Sequence, residues 1–245
     1  MSQNRSSAVM QQRREPDDSL DDFPTPPFAT RAICEFLQSL GFDLGMSDCR
    51  EPCANRGHMV APLREYFGHV MASDVFDYGY GFRVEDYLFG PDAHWDRTDW
   101  TFMNPPFRLA HEFIERALRL SRVGVAVICR SAFCEGQDRY EELFGPNPPS
   151  YELQFAERVV MLKGRLVRAN AIDPFAEKPG TKASTATSYS VLIWLKRDCG
   201  NVDTRKRWIA PCRQRLERPG DYPEYAEQWA AIAQAPAADL ITGAA

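Results

Sequence analysis

The sequence predicts a doubly wound α/β sheet, and three observations carry that prediction. Strand-like and helix-like patterns alternate from about residue 30 to residue 130. The run Val123-Gly124-Val125-Ala126-Val127-Ile128-Cys129 is apolar without alternation, as suits a central parallel strand covered on both faces. Glu51, a small-residue turn through Gly57, a helical stretch and then Val70-Met71-Ala72-Ser73-Asp74 outline a βαβ unit of the nucleoside-binding kind, with the second acid 23 residues after the first. A chain of 245 residues, 44% of them hydrophobic, is enough for one such domain with a full core.

In chain order, residues 1–20 are polar and charged and read as a disordered tail. Phe23-Pro24-Thr25-Pro26-Pro27-Phe28 is a stiff loop. Thr30 is the expected N-cap of a helix through Leu40, stopped by Gly41. The strand ending at Glu51 is unusually polar (Ser47-Asp48-Cys49-Arg50) for the centre of a sheet, which suggests either a weakened binding loop beyond it or simply a less buried strand. A helix from Val60 ends at Gly68, and Asp74 closes the next strand. Tyr78-Gly79-Tyr80-Gly81 is a turn, followed by a short segment holding Asp86. Trp100-Thr101-Phe102-Met103 is a buried strand that stops at Asn104-Pro105-Pro106-Phe107, and the helix at Leu109–Leu120 leads to the apolar run. Two further strands, Phe155–Leu162 and Ser190–Leu195, have no helix between them and are expected to pair as an antiparallel edge hairpin. The remainder holds the basic cluster Arg205-Lys206-Arg207 and a terminal helix around Trp229.

The net charge of −5 argues against a protein that coats nucleic acid, while leaving room for a local basic groove. The seven cysteines and four histidines lack metal-ligand spacing, so reduced thiols and no metal are expected. No run reaches the length of a membrane span, and the N-terminus lacks the apolar core of a signal peptide, which points to a cytoplasmic protein without membrane contact.

The tetrapeptide Asn104-Pro105-Pro106-Phe107 carries the most chemistry. Each proline fixes its own φ and pushes its predecessor out of the helical region, so Asn104 and Phe107 sit in a stiff extended segment. Asn offers an amide oxygen, Pro105 a carbonyl, and Phe a flat apolar face. Together they suit a planar heterocycle with an exocyclic amine. The plainer alternative is a strand end with Phe107 in the core.

Thr25-Pro26-Pro27, Glu51-Pro52 with Gly57, Asp74, Asp86 and Asn104-Pro105-Pro106-Phe107, in this order, resemble the motifs of S-adenosylmethionine-dependent DNA adenine-N6 methyltransferases of the γ class. The likeness is greatest to small phage and prophage versions, in which Gly57-His58-Met59 and Lys182–Tyr189 have counterparts. The resemblance covers roughly residues 22–196. It implies a class I methyltransferase (Rossmann-like) domain at 21–196, mostly parallel, with a C-terminal extension at 197–245. It also implies the cofactor S-adenosylmethionine and a transiently bound DNA partner with a flipped adenine. By the same resemblance, Thr25 and Pro26 would touch the methionine end of the cofactor, while Glu51, Pro52 and Gly57 border its loop. Asp74 would hold the ribose hydroxyls and Asp86 the adenine amine; Asn104, Pro105, Pro106 and Phe107 would hold the target base. The chain departs from the pattern at Ala54-Asn55, where relatives often carry a second glycine. The same tetrapeptide chemistry serves RNA adenine or protein glutamine, cytosine-N4 transfer is a further alternative, and a degenerate accessory protein is the non-enzymatic one. A NAD(H) enzyme is disfavoured because the loop has no Gly-x-Gly.

Lys163 to Thr187 is expected to contact DNA as a mobile loop. It holds Lys163, Arg165, Arg168, Lys178 and Lys182 against Asp173 and Glu177, a net of five minus two, or +3.

Overall fold

The structure is a computed structural model and describes residues 21–198, 200 and 203–234. The expected N-terminal tail at 1–20 lies outside them. Eight strands form one sheet: β1 (Asp48–Glu51), β2 (His69–Asp74), β3 (Arg83–Val84), β4 (Thr98–Met103), β5 (Ser121–Arg130), β6 (Tyr151–Phe155), β7 (Tyr189–Leu195) and β8 (Arg205–Ile209). Their order is β3-β2-β1-β4-β5-β7-β6-β8. Every pairing is parallel except those of β7, which runs antiparallel to both β5 and β6. From β1 the chain winds outward through β2 and β3, then returns to place β4 on the other flank of β1. The loops leaving β1 and β4 therefore diverge, and a crevice opens between them.

Alternation along the strands divides the core between the two faces. Trp100, Phe102, Ala126, Ile128, Val191 and Ile193 face one side, where α1 (Pro27–Ser39) and α2 (Val60–Tyr66) pack. Val125, Val127, Leu192 and Trp194 face the other, against Ile114 and Ala117 of α3 (Ala110–Leu120). Gly124 fits a strand interior here because an added Cβ would lie 2.5 Å from the Trp100 ring and 2.8 Å from the Trp194 carbonyl. Beyond β5 come α4 (Gln137–Arg139), a single turn running into a π-helical turn at Tyr140–Phe144, then the short α5 (Arg213–Leu216) and α6 (Ala226–Gln234).

The structure differs from the sequence expectation in four places. α1 begins at Pro27, whose missing N–H costs nothing in a first helical turn, so Thr30 lies inside the helix and is buried. β1 is a central strand with Cys49, Arg50 and Glu51 buried. Its polarity is accommodated locally: the Arg50 guanidinium donates to the Asp96 carbonyl at 3.0 Å and lies 5.1 Å from the Trp95 ring, while Asp48 pairs with Arg122 at 3.2 Å. The strand expected at Phe155–Leu162 is Tyr151–Phe155; it stops where Glu157 turns to accept the backbone N–H groups of Cys212 and Arg213. The pair β6–β7 is antiparallel as expected but is not at the edge. β8, from the segment beyond 196, pairs parallel with β6 and takes that position.

Arg31 ties the first helix to the segment around Leu216 and Asp221. Its buried guanidinium donates to Glu65 at 2.8 and 2.9 Å, to Asp221 at 2.7 and 2.8 Å, and to the Leu216 carbonyl at 2.7 Å. A buried guanidinium is tolerated only with its donors satisfied in this way.

Candidate active site

At the crevice, the ends of β1, β2 and β4 rim a cleft of about 700 Å³, part of it open to solvent. Three polar side chains, one from each strand end, face it: Glu51, Asp74 and Asn104.

Glu51 is 1% exposed. Its Oε1 accepts the Cys53 N–H at 2.9 Å, and its Oε2 is buried without a hydrogen-bond partner. Burial, with the nearby Asp74 charge adding to it, pushes its pKa well above the ordinary carboxylate range. An acceptor left unpaired in a dry cleft wall is costly, so this oxygen suits a ligand that brings a donor or a positive charge. Asp74 is also raised, by burial first, although the backbone amides of Phe76, Asn55 and Val75 work against that: Asn55 N–H meets Oδ2 at 2.8 Å and Phe76 N–H meets Oδ1 at 3.0 Å. A carboxylate has about four acceptor positions, so Asp74 retains capacity toward the cleft. His58, on the same wall, is lowered to about 4 by burial and by the Arg56 charge, and is a neutral imidazole at pH 7.

The loop between β1 and α2 turns without a second glycine. Asn55 takes φ +50°, a left-handed conformation that Asn tolerates better than most residues. Gly57 has φ +83°, and a Cβ there would lie 2.8 Å from the Phe82 ring; it serves the packing of Phe82 and does not line the cleft.

Asn104 is held by the segment Asp21–Thr25, which crosses the cleft like a strap. Its side-chain amide donates to the Phe23 carbonyl at 2.8 Å and to Thr25 Oγ1 at 3.1 Å. Both N–H groups are thereby used, and Oδ1 is the atom left for the cleft. Asp21 accepts the Phe107 N–H at 2.8 Å, Asp22 pairs with Arg56 at 2.9 Å and accepts from the Asn55 side chain at 2.7 Å, and the Asp22 carbonyl accepts the Gly164 N–H at 2.8 Å. One segment thus touches the cofactor-loop side, the Asn-Pro-Pro-Phe side and the start of the 163–187 insert. Among the described residues no group of His, Cys, Asp and Glu is arranged to hold a metal ion, and no helix is long and apolar enough to cross a membrane.

No protein-family model and no curated protein matches this sequence. Solved structures do match. A protein from Listeria monocytogenes described as a class I S-adenosylmethionine-dependent methyltransferase aligns over 83% of this chain and 68% of its own, with a TM-score of 0.53 and 12% identity. The methyltransferase subunit of a type I restriction-modification system from Streptococcus thermophilus aligns over 86% of this chain at a TM-score of 0.53 and 11% identity. The chain spans 52% of that subunit's length. The fold is that of the class I S-adenosylmethionine-dependent methyltransferases.

Within this methyltransferase fold, Thr25, Glu51, Pro52, Asp74, Asn104 and Pro106 come together around the cleft. Pro26, Gly57, Pro105 and Phe107 stand behind or beside it. Asp86 is exposed and outside the lining, its Oδ1 accepting the Leu88 N–H at 2.9 Å. Phe107 does not present a bare face: its ring lies 5.3 Å from Phe23, and the Arg130 guanidinium sits 3.7 Å from its centroid. The insert is folded back on itself rather than extended. Arg165 is bonded to Asp173 at 2.7–3.0 Å, Arg168 pairs with Glu217, and Val160, Val167 and Ala183 form a small core beneath them. Much of its positive charge is therefore engaged, while Lys182 is exposed. Sequence reading missed Phe23 and Arg130. Phe23 was legible as part of a stiff aromatic loop; Arg130, one residue past a run of apolar strand residues, carried no signal.

Proposed function

We infer that the protein transfers a methyl group from S-adenosylmethionine to the exocyclic N6 amine of adenine in DNA. The observation that carries this reading is Asn104, which lines the cleft and whose N–H groups are both engaged by the strap, leaving its oxygen as the acceptor. Of the two proline carbonyls, that of Pro106 accepts the Leu109 N–H at 3.0 Å, so Pro105 supplies the second acceptor.

The cleft fits the cofactor. The unpartnered Glu51 oxygen suits an α-ammonium group, and Asp74 at the end of β2 suits a pair of ribose hydroxyls. When bound, the cofactor supplies an electrophilic methyl group on a sulfonium. The chain's own part is positioning. The amine lone pair of adenine is delocalised into its ring; Asn104 Oδ1 and the Pro105 carbonyl accept the two amine hydrogens, draw the nitrogen toward a tetrahedral arrangement and free the lone pair. Phe107 stacks on the base once it leaves the duplex, and since the Arg130 guanidinium now occupies that face, the arginine moves aside or caps the stack. The matched restriction-modification subunit favours DNA over RNA or protein as the acceptor. Transfer of tritium from labelled S-adenosylmethionine, run in parallel on DNA, RNA and protein, tests this. Label in DNA as N6-methyladenine is expected; label confined to RNA or protein would refute the DNA assignment, and no label anywhere would refute the activity.

A further inference from the structure

Beyond Asn104 the same surface of the sheet continues across β5, β7, β6 and β8, and a second cleft of about 570 Å³ opens there. Gln154, Arg158, Thr187, Ser188 and Tyr189 are among its walls. Two contacts join it to the first cleft. Arg130, stacked on Phe107, is the register partner of Tyr189, and the Ser131 N–H donates to the Ser188 carbonyl at 2.9 Å. A ligand leaving Asn104 past Phe107 meets Arg130 and then this second cleft.

The chemistry along that path is cationic and aromatic. Arg158 is exposed and, among the described residues, bonds to neutral groups, Ser188 Oγ at 2.8 Å and the Ala186 carbonyl at 3.4 Å. The nearest acid in sequence, Glu157, also lines the cleft, but one of its oxygens is taken up by the N–H groups of Cys212 and Arg213 and the other lies 3.7 Å from the Arg213 guanidinium. On β8, Trp208 lies in register with Gln154 and is 66% exposed. An indole so exposed on an edge strand, with Lys206 and Arg207 beside it, is unlike an ordinary protective edge, where charge alone would do. Stacking platforms alternating with guanidinium groups suit the bases and phosphates of a nucleic-acid strand. From β4 to β8 is four strand spacings, ~19 Å at ~4.8 Å each, or roughly five to six nucleotide steps at ~3.4 Å.

We propose that this second cleft, with Arg158 on its wall and Trp208 at its outer end, is the track that holds the nucleic-acid strand flanking the target base on one side. Arg158 meets a phosphate, and Trp208 packs on a base or sugar about five to six nucleotides from the target. The proposal rests on the nucleic-acid reading above.

The test uses the full chain and fluorescein-labelled oligonucleotides, single-stranded and duplex, with one methylatable adenine. Anisotropy is read over a series of salt concentrations, with S-adenosylmethionine affinity and Tm measured alongside. Trp208→Ala is expected to weaken binding by at least ~5-fold in the form the track accepts, with an unchanged salt slope and with Trp208→Phe restoring most of the loss. Arg158→Ala is expected to reduce the log–log salt slope by about one, and Arg158→Lys to keep it. Cutting the oligonucleotide to two nucleotides on one side of the adenine should reproduce the Trp208→Ala loss and abolish any further effect of that substitution. Cofactor affinity and Tm should stay at the wild-type values. Variants that bind both forms with wild-type affinity and slope, while the wild type methylates DNA, would overturn the track and leave the activity standing. A wild type that binds the cofactor but neither binds nor methylates nucleic acid would overturn both. A Trp208→Ala loss that persists on the shortened oligonucleotide would place the contact elsewhere and overturn the track.

Discussion

Glu51→Gln separates stability from binding in a single substitution. In the wild type, Glu51 is 1% exposed with one oxygen unpartnered, and burial holds its pKa well above the ordinary value. A carboxyl whose folded pKa is raised keeps its proton in the folded state over a range where the unfolded chain has lost it. Its contribution is therefore full below the unfolded pKa, about 4.3, and is lost as pH rises toward the folded pKa. Inside that window a carboxyl loses about 1.4 kcal/mol per pH unit, at roughly 2–4 °C of Tm per kcal/mol for a domain of this size. Glutamine has no such titration, and the variant's Tm should fall less, or not at all, over the same interval. His58, lowered to about 4, acts with the opposite sign, gaining stability as pH rises from about 4 to 6.5, which is why the difference between the two proteins is the quantity to read. Binding should move the other way: on the proposed reading the cofactor's α-ammonium draws the Glu51 carboxyl into its ionised form, glutamine offers no charge, and the loss costs about 1.5–3 kcal/mol, or ~10- to 150-fold in affinity. Differential scanning fluorimetry across pH, with calorimetric titration of S-adenosylmethionine, gives both readouts. Parallel Tm profiles together with unchanged affinity would refute the placement of Glu51 on the cofactor.

Asn104→Ala is expected to keep cofactor affinity and lower kcat by ~10²- to 10³-fold, since its contact develops in the transition state; single-turnover methylation decides it, and a near wild-type rate would refute the role. Asp74→Ala should weaken S-adenosylmethionine binding by at least ~10-fold, because on the proposed reading two charge-assisted hydrogen bonds to the ribose would be lost; calorimetry measures it, and unchanged affinity would remove Asp74 from the site. Arg31→Met leaves the buried Asp221 without its guanidinium, while Glu65 keeps Arg218 at 2.9 Å, and should cost about 3–5 kcal/mol in chemical denaturation; a loss under 1 kcal/mol would show that solvent takes over the Asp221 carboxylate.

How legible the molecule was depended on how local each signal is. β5 announced itself because burial on both faces leaves an unbroken apolar run, and α3 because Phe113, Ile114 and Ala117 repeat at helical spacing. Asp74 and Asn104 were readable because a polar residue ending an apolar strand has few positions available. β8 was not, since Arg205-Lys206-Arg207 reads as a solvated surface; only its pairing with β6 makes it a strand. The charge of the insert was countable, but its pairing was not: Arg168 meets Glu217, 49 residues away in sequence. The strap was visible as a stiff aromatic loop, whereas its bonds to Asn104 and Asn55 join parts of the chain that sequence spacing does not relate.

The Arg31 cluster also sets a timetable for synthesis. Arg31 and Asp221 are separated by 190 positions, so at 5–20 residues per second a ribosome needs roughly 10–40 s to deliver the second partner after the first. Throughout that interval the first helix of the nascent chain carries a guanidinium destined for burial with one of its two carboxylates not yet made. The Arg31–Asp221 contacts can therefore form only after all eight strands of the sheet have been made.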